Sequence, residues 1–112
     1  MKYSLILMIT AAVLSLGVVR VEAEQPLAGV AGYVFDSNSR PVGKAFVEFT
    51  VKSEYRGLVS FSTMTDETGK YRIERLPAGS GWAKVDAGQR GRSARRVTLE
   101  PNMLNIENFR LQ

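Results

Sequence analysis

Four arginines and one lysine fall within thirteen residues: Lys84, Arg90, Arg92, Arg95 and Arg96. Asp86 is the only acid among them. Between residues 24 and 112, everything outside this segment carries 8 basic side chains against 9 acidic ones. The positive balance of the chain therefore resides here. A guanidinium forms paired hydrogen bonds with carboxylate, sulfate or phosphate, so the chemistry on offer is anion recognition. Gly88-Gln89-Arg90-Gly91-Arg92-Ser93 reads as a hairpin loop that would carry part of the cluster. The plainer alternative is a solvated loop that keeps an edge strand from pairing wrongly. Trp82, the sole tryptophan, lies just before the cluster and joins it as a candidate contact.

Catalysis has less to work with. There is no histidine and no cysteine, which removes Ser–His and Cys–His nucleophile pairs and His- or Cys-ligated metal centres. Glu48, Glu54, Asp66 and Glu67 offer carboxylates, but nothing in their spacing pairs them. The sequence thus points to a binding module and not an enzyme, with no metal and no cofactor.

These side chains need a scaffold, and the chain reads as strands. Val-Ala-Gly-Tyr-Val-Phe ends a first strand, Gly29 to Phe35, closed by the Asp36-to-Pro41 cluster of loop residues. Ala45 to Val51 alternates, with Ala45, Val47, Phe49 and Val51 on one face. Leu58 to Thr65 is rich in Val, Phe and Thr. Lys70 to Glu74, Trp82 to Ala87 and Ala94 to Leu99 follow. Leu104 to Leu111 completes the set, its apolar spacing shifting between Ile106 and Phe109 as at a bulge. Seven short strands predict an all-β, antiparallel sandwich. Val34, Val47, Phe49, Tyr71, Ile73, Leu76, Val85, Val97 and Leu99 are the expected core. Trp82 is ambiguous: alternation with Ala83, Val85 and Ala87 puts it beside Lys84 and Asp86 facing water, whereas a bulge at Gly79-Ser80-Gly81 would turn it inward.

The first residues read as a signal peptide. Lys2 precedes a nearly continuous apolar run, Leu5 to Val19, and Val21-Glu22-Ala23 supplies small residues for cleavage. The competing reading, a retained membrane anchor, asks for about 20 apolar residues. No Cys follows the run, which excludes a lipoprotein-type anchor. Residues 1–23 are expected to be removed and residues 24–112 to form one domain, with no transmembrane segment left. The net charge then falls from +4 to +3, with 13 basic and 10 acidic side chains remaining. Export without cysteine suits a bacterial envelope or secreted protein, in the periplasm, at the cell surface or outside the cell.

The most specific stretch is Thr65-Asp66-Glu67-Thr68-Gly69-Lys70-Tyr71-Arg72-Ile73-Glu74-Arg75-Leu76-Pro77-Ala78-Gly79. It is a turn, a strand and a turn: Asp66 accepts local backbone hydrogen bonds, Gly69 tolerates positive φ, and Pro77 and Gly79 set the exit. With Gly32-Tyr33-Val34-Phe35-Asp36 and Arg40-Pro41-Val42-Gly43-Lys44-Ala45-Phe46-Val47, it resembles the pattern of the carboxypeptidase regulatory-like family over Gly29 to Leu111. Lys44 is an insertion in that pattern. The resemblance implies a transthyretin-like (prealbumin-like, Cna B-type-like) β-sandwich that is mostly non-catalytic and serves as an accessory or binding module. It implies structural roles for Asp66, Gly69, Tyr71, Ile73, Leu76, Pro77 and Gly79. Related surface domains carry an internal Lys–Asn crosslink that needs a Lys in the first strand; Val30 to Phe35 has none. The hydroxyisourate hydrolase branch of the fold depends on histidines, which this chain lacks. The expected function is an exported, non-enzymatic binding or assembly module for an anionic glycan, a lipid headgroup or an envelope protein, with no nucleic acid partner. The alternative is a structural subunit that pairs with another envelope protein through a strand edge.

Overall fold

A computed structural model describes residues 26–54 and 56–112. The signal peptide, its cleavage after Ala23 and the expected start at Glu24 lie outside the described residues. Among the described residues there are eight strands: β1 Leu27–Phe35, β2 Phe46–Ser53, β3 Gly57–Met64, β4 Lys70–Pro77, β5 Gly79–Asp86, β6 Arg92–Leu99, β7 Leu104–Ile106 and β8 Phe109–Arg110. They form two sheets. One has the order β4-β1-β7, with β8 also pairing with β1; the other has the order β3-β2-β5-β6. The inner faces meet in an apolar core, as in a two-layer sandwich.

The alternation seen in the sequence fills that core. Val47, Phe49 and Val51 of β2 are fully buried, as are Ala83 and Val85 of β5 and Leu99 of β6, while Val97 is nearly so. From the other sheet come Val30, Val34, Tyr71, Leu76 and Phe109. The rings of Phe49, Tyr71 and Phe109 lie with centroids 6.1–6.3 Å apart. Each such side chain contributes about 1.5–3 kcal/mol by leaving water. The polar groups that must enter are satisfied. The buried Thr65 hydroxyl donates to the Val42 carbonyl and accepts from the Ala45 amide, at 2.7 and 2.9 Å. Asn105, also buried, donates to the Gly29 carbonyl and accepts from the Glu100 amide.

Three aspartates end strands in the same way. Asp36, Asp66 and Asp86 each accept backbone N–H bonds from residues two positions on, and Asp36 and Asp66 from residues four positions on as well. These bonds fix the turns after β1, before β4 and after β5. Gly69 completes the second of them with φ +81°, and an added Cβ there would sit 2.9 Å from the Val34 carbonyl oxygen. The inserted Lys44 is accommodated with φ +58°, in the turn that enters β2.

The seven-stranded, wholly antiparallel expectation needs correction. The last segment is two strands, because the pairing with β1 breaks after the Glu107 amide, which still donates to the Ala31 carbonyl. Asn108 Oδ1 accepts the Tyr33 amide, and the Glu107 carbonyl accepts the Tyr71 hydroxyl at 2.5 Å. Both β7 and β8 run parallel to β1, since the chain crosses from one sheet to the other after β6. Within the expected core, Ile73 is only half-buried. It still packs against the core; the register slips in β4, where Glu74 and Arg75 (φ +66°) oppose Gly29 alone, so that Leu76 faces inward as well and is fully buried.

Candidate functional site

The candidate residues rise from β5 and β6, which pair without a register shift from Gly79–Leu99 to Asp86–Arg92. No bulge interrupts Gly79 to Gly81. The phase set by buried Ala83 and Val85 therefore runs back unbroken and puts Trp82 on the outer face, 53% exposed. That decides the ambiguity left by the sequence. Arg96 is its direct cross-strand partner. The Arg96 guanidinium lies 5.5 Å from the centre of the indole ring, within cation–π range. Thr50 faces Trp82 from the other side, and its hydroxyl is 2.9 Å from that of Ser60. One row thus crosses the sheet: Ser60, Thr50, Trp82, Arg96. Beside it lies a shallow depression of about 410 Å³, bounded by Thr50, Leu58, Ser80, Trp82, Arg96 and Thr98.

The five basic residues do not converge. Lys84 shares the outer face with Trp82, opposite Glu48 on β2. Arg92 is at the start of β6 and pairs with Asp86 at 3.4 Å. Asp86 is held below the usual carboxylate range, first by the Gly88 amide and then by the Arg92 charge. Arg90 ends the 3₁₀ turn Gly88–Arg90 and donates to the Gly43 carbonyl at 2.6 Å. Arg95 points to the opposite face from Arg96. It binds the Glu107 carboxylate at 2.7 Å and the Asn108 carbonyl at 2.8 Å, and sits 4.4 Å from the centre of the Phe109 ring. Arg95 is therefore a strut between the sheets. Alternation along a strand separates neighbours in sequence, so the charge run splits into a strut, two tethered arginines and one guanidinium open for contact.

Neither Glu107 nor Asn108 was singled out by the sequence. They sit in the break between β7 and β8, and only the shifted apolar spacing around them gave a signal. Beside them, burial pushes the Tyr71 phenol well above its ordinary range, and the Glu107 charge adds to the effect. Among the described residues no group of three acidic side chains is placed to hold a metal ion.

The sequence pattern of the carboxypeptidase regulatory-like domain matches residues 29–112. The chain belongs to the carboxypeptidase regulatory-like domain family. No curated protein matches it. Solved structures share the fold. The catechol 1,2-dioxygenase of Pseudomonas arvilla C-1 aligns with TM-score 0.62 and 13% identity, over 79% of this chain and 52% of that one. The Bacillus anthracis TIE protein aligns with TM-score 0.59 and 14% identity, over 77% of this chain and 16% of that one. The dioxygenase domain of a dioxygenase–carbohydrate-binding protein fusion from Streptomyces sp. SirexAA-E gives 0.57 and 13%, over 80% of this chain and 81% of that one. This carboxypeptidase regulatory-like chain spans about half the length of the first of these and a sixth of the second. At such identities the likeness concerns the sandwich alone.

Proposed function

We propose that this chain is an exported, non-enzymatic binding module that holds an anionic, ring-bearing ligand, best exemplified by an acidic glycan, on the outer face of the β3-β2-β5-β6 sheet. The observation that carries the reading is the exposed Trp82 with the Arg96 guanidinium 5.5 Å from its ring centre, beside a depression large enough for a sugar residue. The indole offers an apolar platform for a sugar face. Arg96 supplies the charge for a carboxylate or sulfate, and Lys84 adds a second cation on the same face. The family is rich in binding and accessory modules, and the absence of histidine and cysteine favours recognition over catalysis.

Exposed ionic contacts are worth about 0–1 kcal/mol each, so affinity is expected on the order of 0.1–1 mM. The sole tryptophan is its own probe. Titration with a heparin-derived oligosaccharide at low ionic strength should change Trp82 emission saturably. A neutral oligosaccharide of equal length should not. Anionic phospholipid vesicles make a third arm; a response to vesicles alone would move the assignment to a lipid headgroup. The response should weaken as salt shortens the Debye length from about 30 Å to about 8 Å. An emission unchanged by every anion refutes the site. Export is tested separately: protein from its native host should begin at Glu24 by mass spectrometry, and a chain beginning at Met1 would reject cleavage.

A further inference from the structure

The β3 strand is an edge, and it is chemically unlike the other edges. Among the described residues no strand pairs with its far side. Its sequence, Gly57-Leu58-Val59-Ser60-Phe61-Ser62-Thr63-Met64, holds no charge and no proline. Edge strands normally carry such features, because their open N–H and C=O groups invite another strand. The opposite edge of the same sheet, β6, has Arg92, Arg95 and Arg96. In the second sheet, β4 has Lys70, Arg72, Glu74, Arg75 and Pro77, and β7 is three residues long. The β3 strand also displays two large apolar side chains, Leu58 at 75% and Met64 at 56% exposure.

The order of side chains in β3 is nearly the same in both directions from Phe61. Ser60 mirrors Ser62. Val59 mirrors Thr63, both β-branched and of similar size. Leu58 mirrors Met64, both long and apolar. A two-fold axis through Phe61, perpendicular to the sheet, would set each residue against its like in an antiparallel pair. Leu58 and Met64 would meet on the outer face. Val59, Thr63 and the two Phe61 rings would meet on the inner one. Cross-strand pairs of this kind, aromatic with aromatic and apolar with apolar, are the ones that stabilise antiparallel sheets. A two-fold contact must be self-complementary, and this strand is.

We infer that β3 is a self-association edge, where two copies of this chain join antiparallel about Phe61 into one eight-stranded sheet, β6-β5-β2-β3 continued by β3-β2-β5-β6 of the second copy. This goes beyond the anion-binding reading and does not depend on it. The axis keeps both outer faces on one side, with the two Trp82 rings about 25 Å apart at ordinary strand spacing. A long polyanion could then engage both sites at once and gain avidity. An edge-to-edge contact of eight residues falls below the roughly 1,200 Å² of a standard interface, so the dimer is weak and concentration-dependent.

The test uses sedimentation velocity over micromolar to millimolar concentrations on the wild type and two double variants at exposed positions. Leu58→Lys with Met64→Lys places like charges face to face at both ends of the pair and should raise the dimer dissociation constant about tenfold or more. Leu58→Lys with Met64→Glu instead sets the introduced ammonium of each copy against the introduced carboxylate of the other and should keep the dimer. Far-UV circular dichroism and a cooperative urea unfolding transition confirm that each variant is folded. A wild type that stays monomeric throughout overturns the proposal. So does a pair of folded variants that behave alike at moderate salt, because the antiparallel register about Phe61 sets like charges against each other in one and opposite charges in the other. Salt-insensitive capture of a different strand-bearing protein by a monomeric wild type would assign the edge to that partner instead.

Discussion

The two edges of the four-stranded sheet differ in chemistry. The β6 edge is basic: Arg92 pairs with Asp86 and Arg95 with Glu107, while Arg96 lies over the exposed Trp82 ring. The β3 edge has no charge at all, and its outer apolar residues are open to water. Both lie on one continuous sheet, and both are anchored on the same core through the pairing of β2 with β5. One scaffold in this chain thus presents two kinds of edge. A charged edge disfavours a second strand. An uncharged edge offers its backbone.

The contrast between the edges is erased most severely by removing what fixes β6. Leu99 is fully buried at its end. Leu99→Ala should cost about 2–5 kcal/mol in a urea unfolding curve, a large share of the stability of a domain this small. The β3 edge has no counterpart of that kind: Leu58→Ala should change stability by less than about 0.5 kcal/mol. Equal losses at the two positions would mean that β3 is as deeply anchored as β6.

Arg95→Ala has the next largest expected effect. It removes charge-assisted bonds to Glu107 and Asn108 and a cation–π contact with Phe109, for about 1–3 kcal/mol of stability. Retention on an anionic resin should survive, because Arg95 points away from Trp82. Loss of retention at unchanged stability would place Arg95 in the site instead of between the sheets.

Acid acts on the turns that hold both edges in place. Asp36, Asp66 and Asp86 are all lowered from 3.8: Asp36 chiefly by the Arg40 amide, Asp66 by the Thr68 hydroxyl, Asp86 by the Gly88 amide. A depressed carboxylate contributes stability that is fully present above its unfolded value and is lost as pH falls through the folded one. Stability from these turns should thus be level above about pH 4 to 5 and decline below it. Asp86→Asn should flatten part of that decline. A decline that begins near neutrality would point to other groups.

Much of the scaffold was legible in the sequence because its signals are local. Alternation in β2 and β5, the Asp66 to Gly69 turn and the Tyr71 to Gly79 stretch each follow from neighbouring residues. What was not legible depends on distant parts of the chain. The phase slip at Arg75, where Glu74 and Arg75 stand opposite Gly29 alone, puts Leu76 on the same inward face as Ile73. The division of the last segment into β7 and β8, and their parallel course, come from contacts of Glu107 and Asn108 with Tyr33, Tyr71 and Arg95. The arginine cluster was visible as composition. Its dispersal over two faces and a turn was not, since adjacent Arg95 and Arg96 look alike until the strand gives each a side. The pseudo-symmetry of β3 was present in the sequence, but it acquires meaning only once β3 is known to be an edge.

The most direct test of the binding site compares retention on heparin resin at low salt for the wild type, Arg96→Gln and Arg90→Gln. Each substitution removes one positive charge, so net charge is matched between the variants. The wild type should be retained, Arg96→Gln should elute early, and Arg90→Gln should elute close to the wild type. Equal losses in the two variants would show that diffuse charge, and not the Trp82–Arg96 pair, holds the ligand; an unretained wild type would leave the basic segment as a solvated edge.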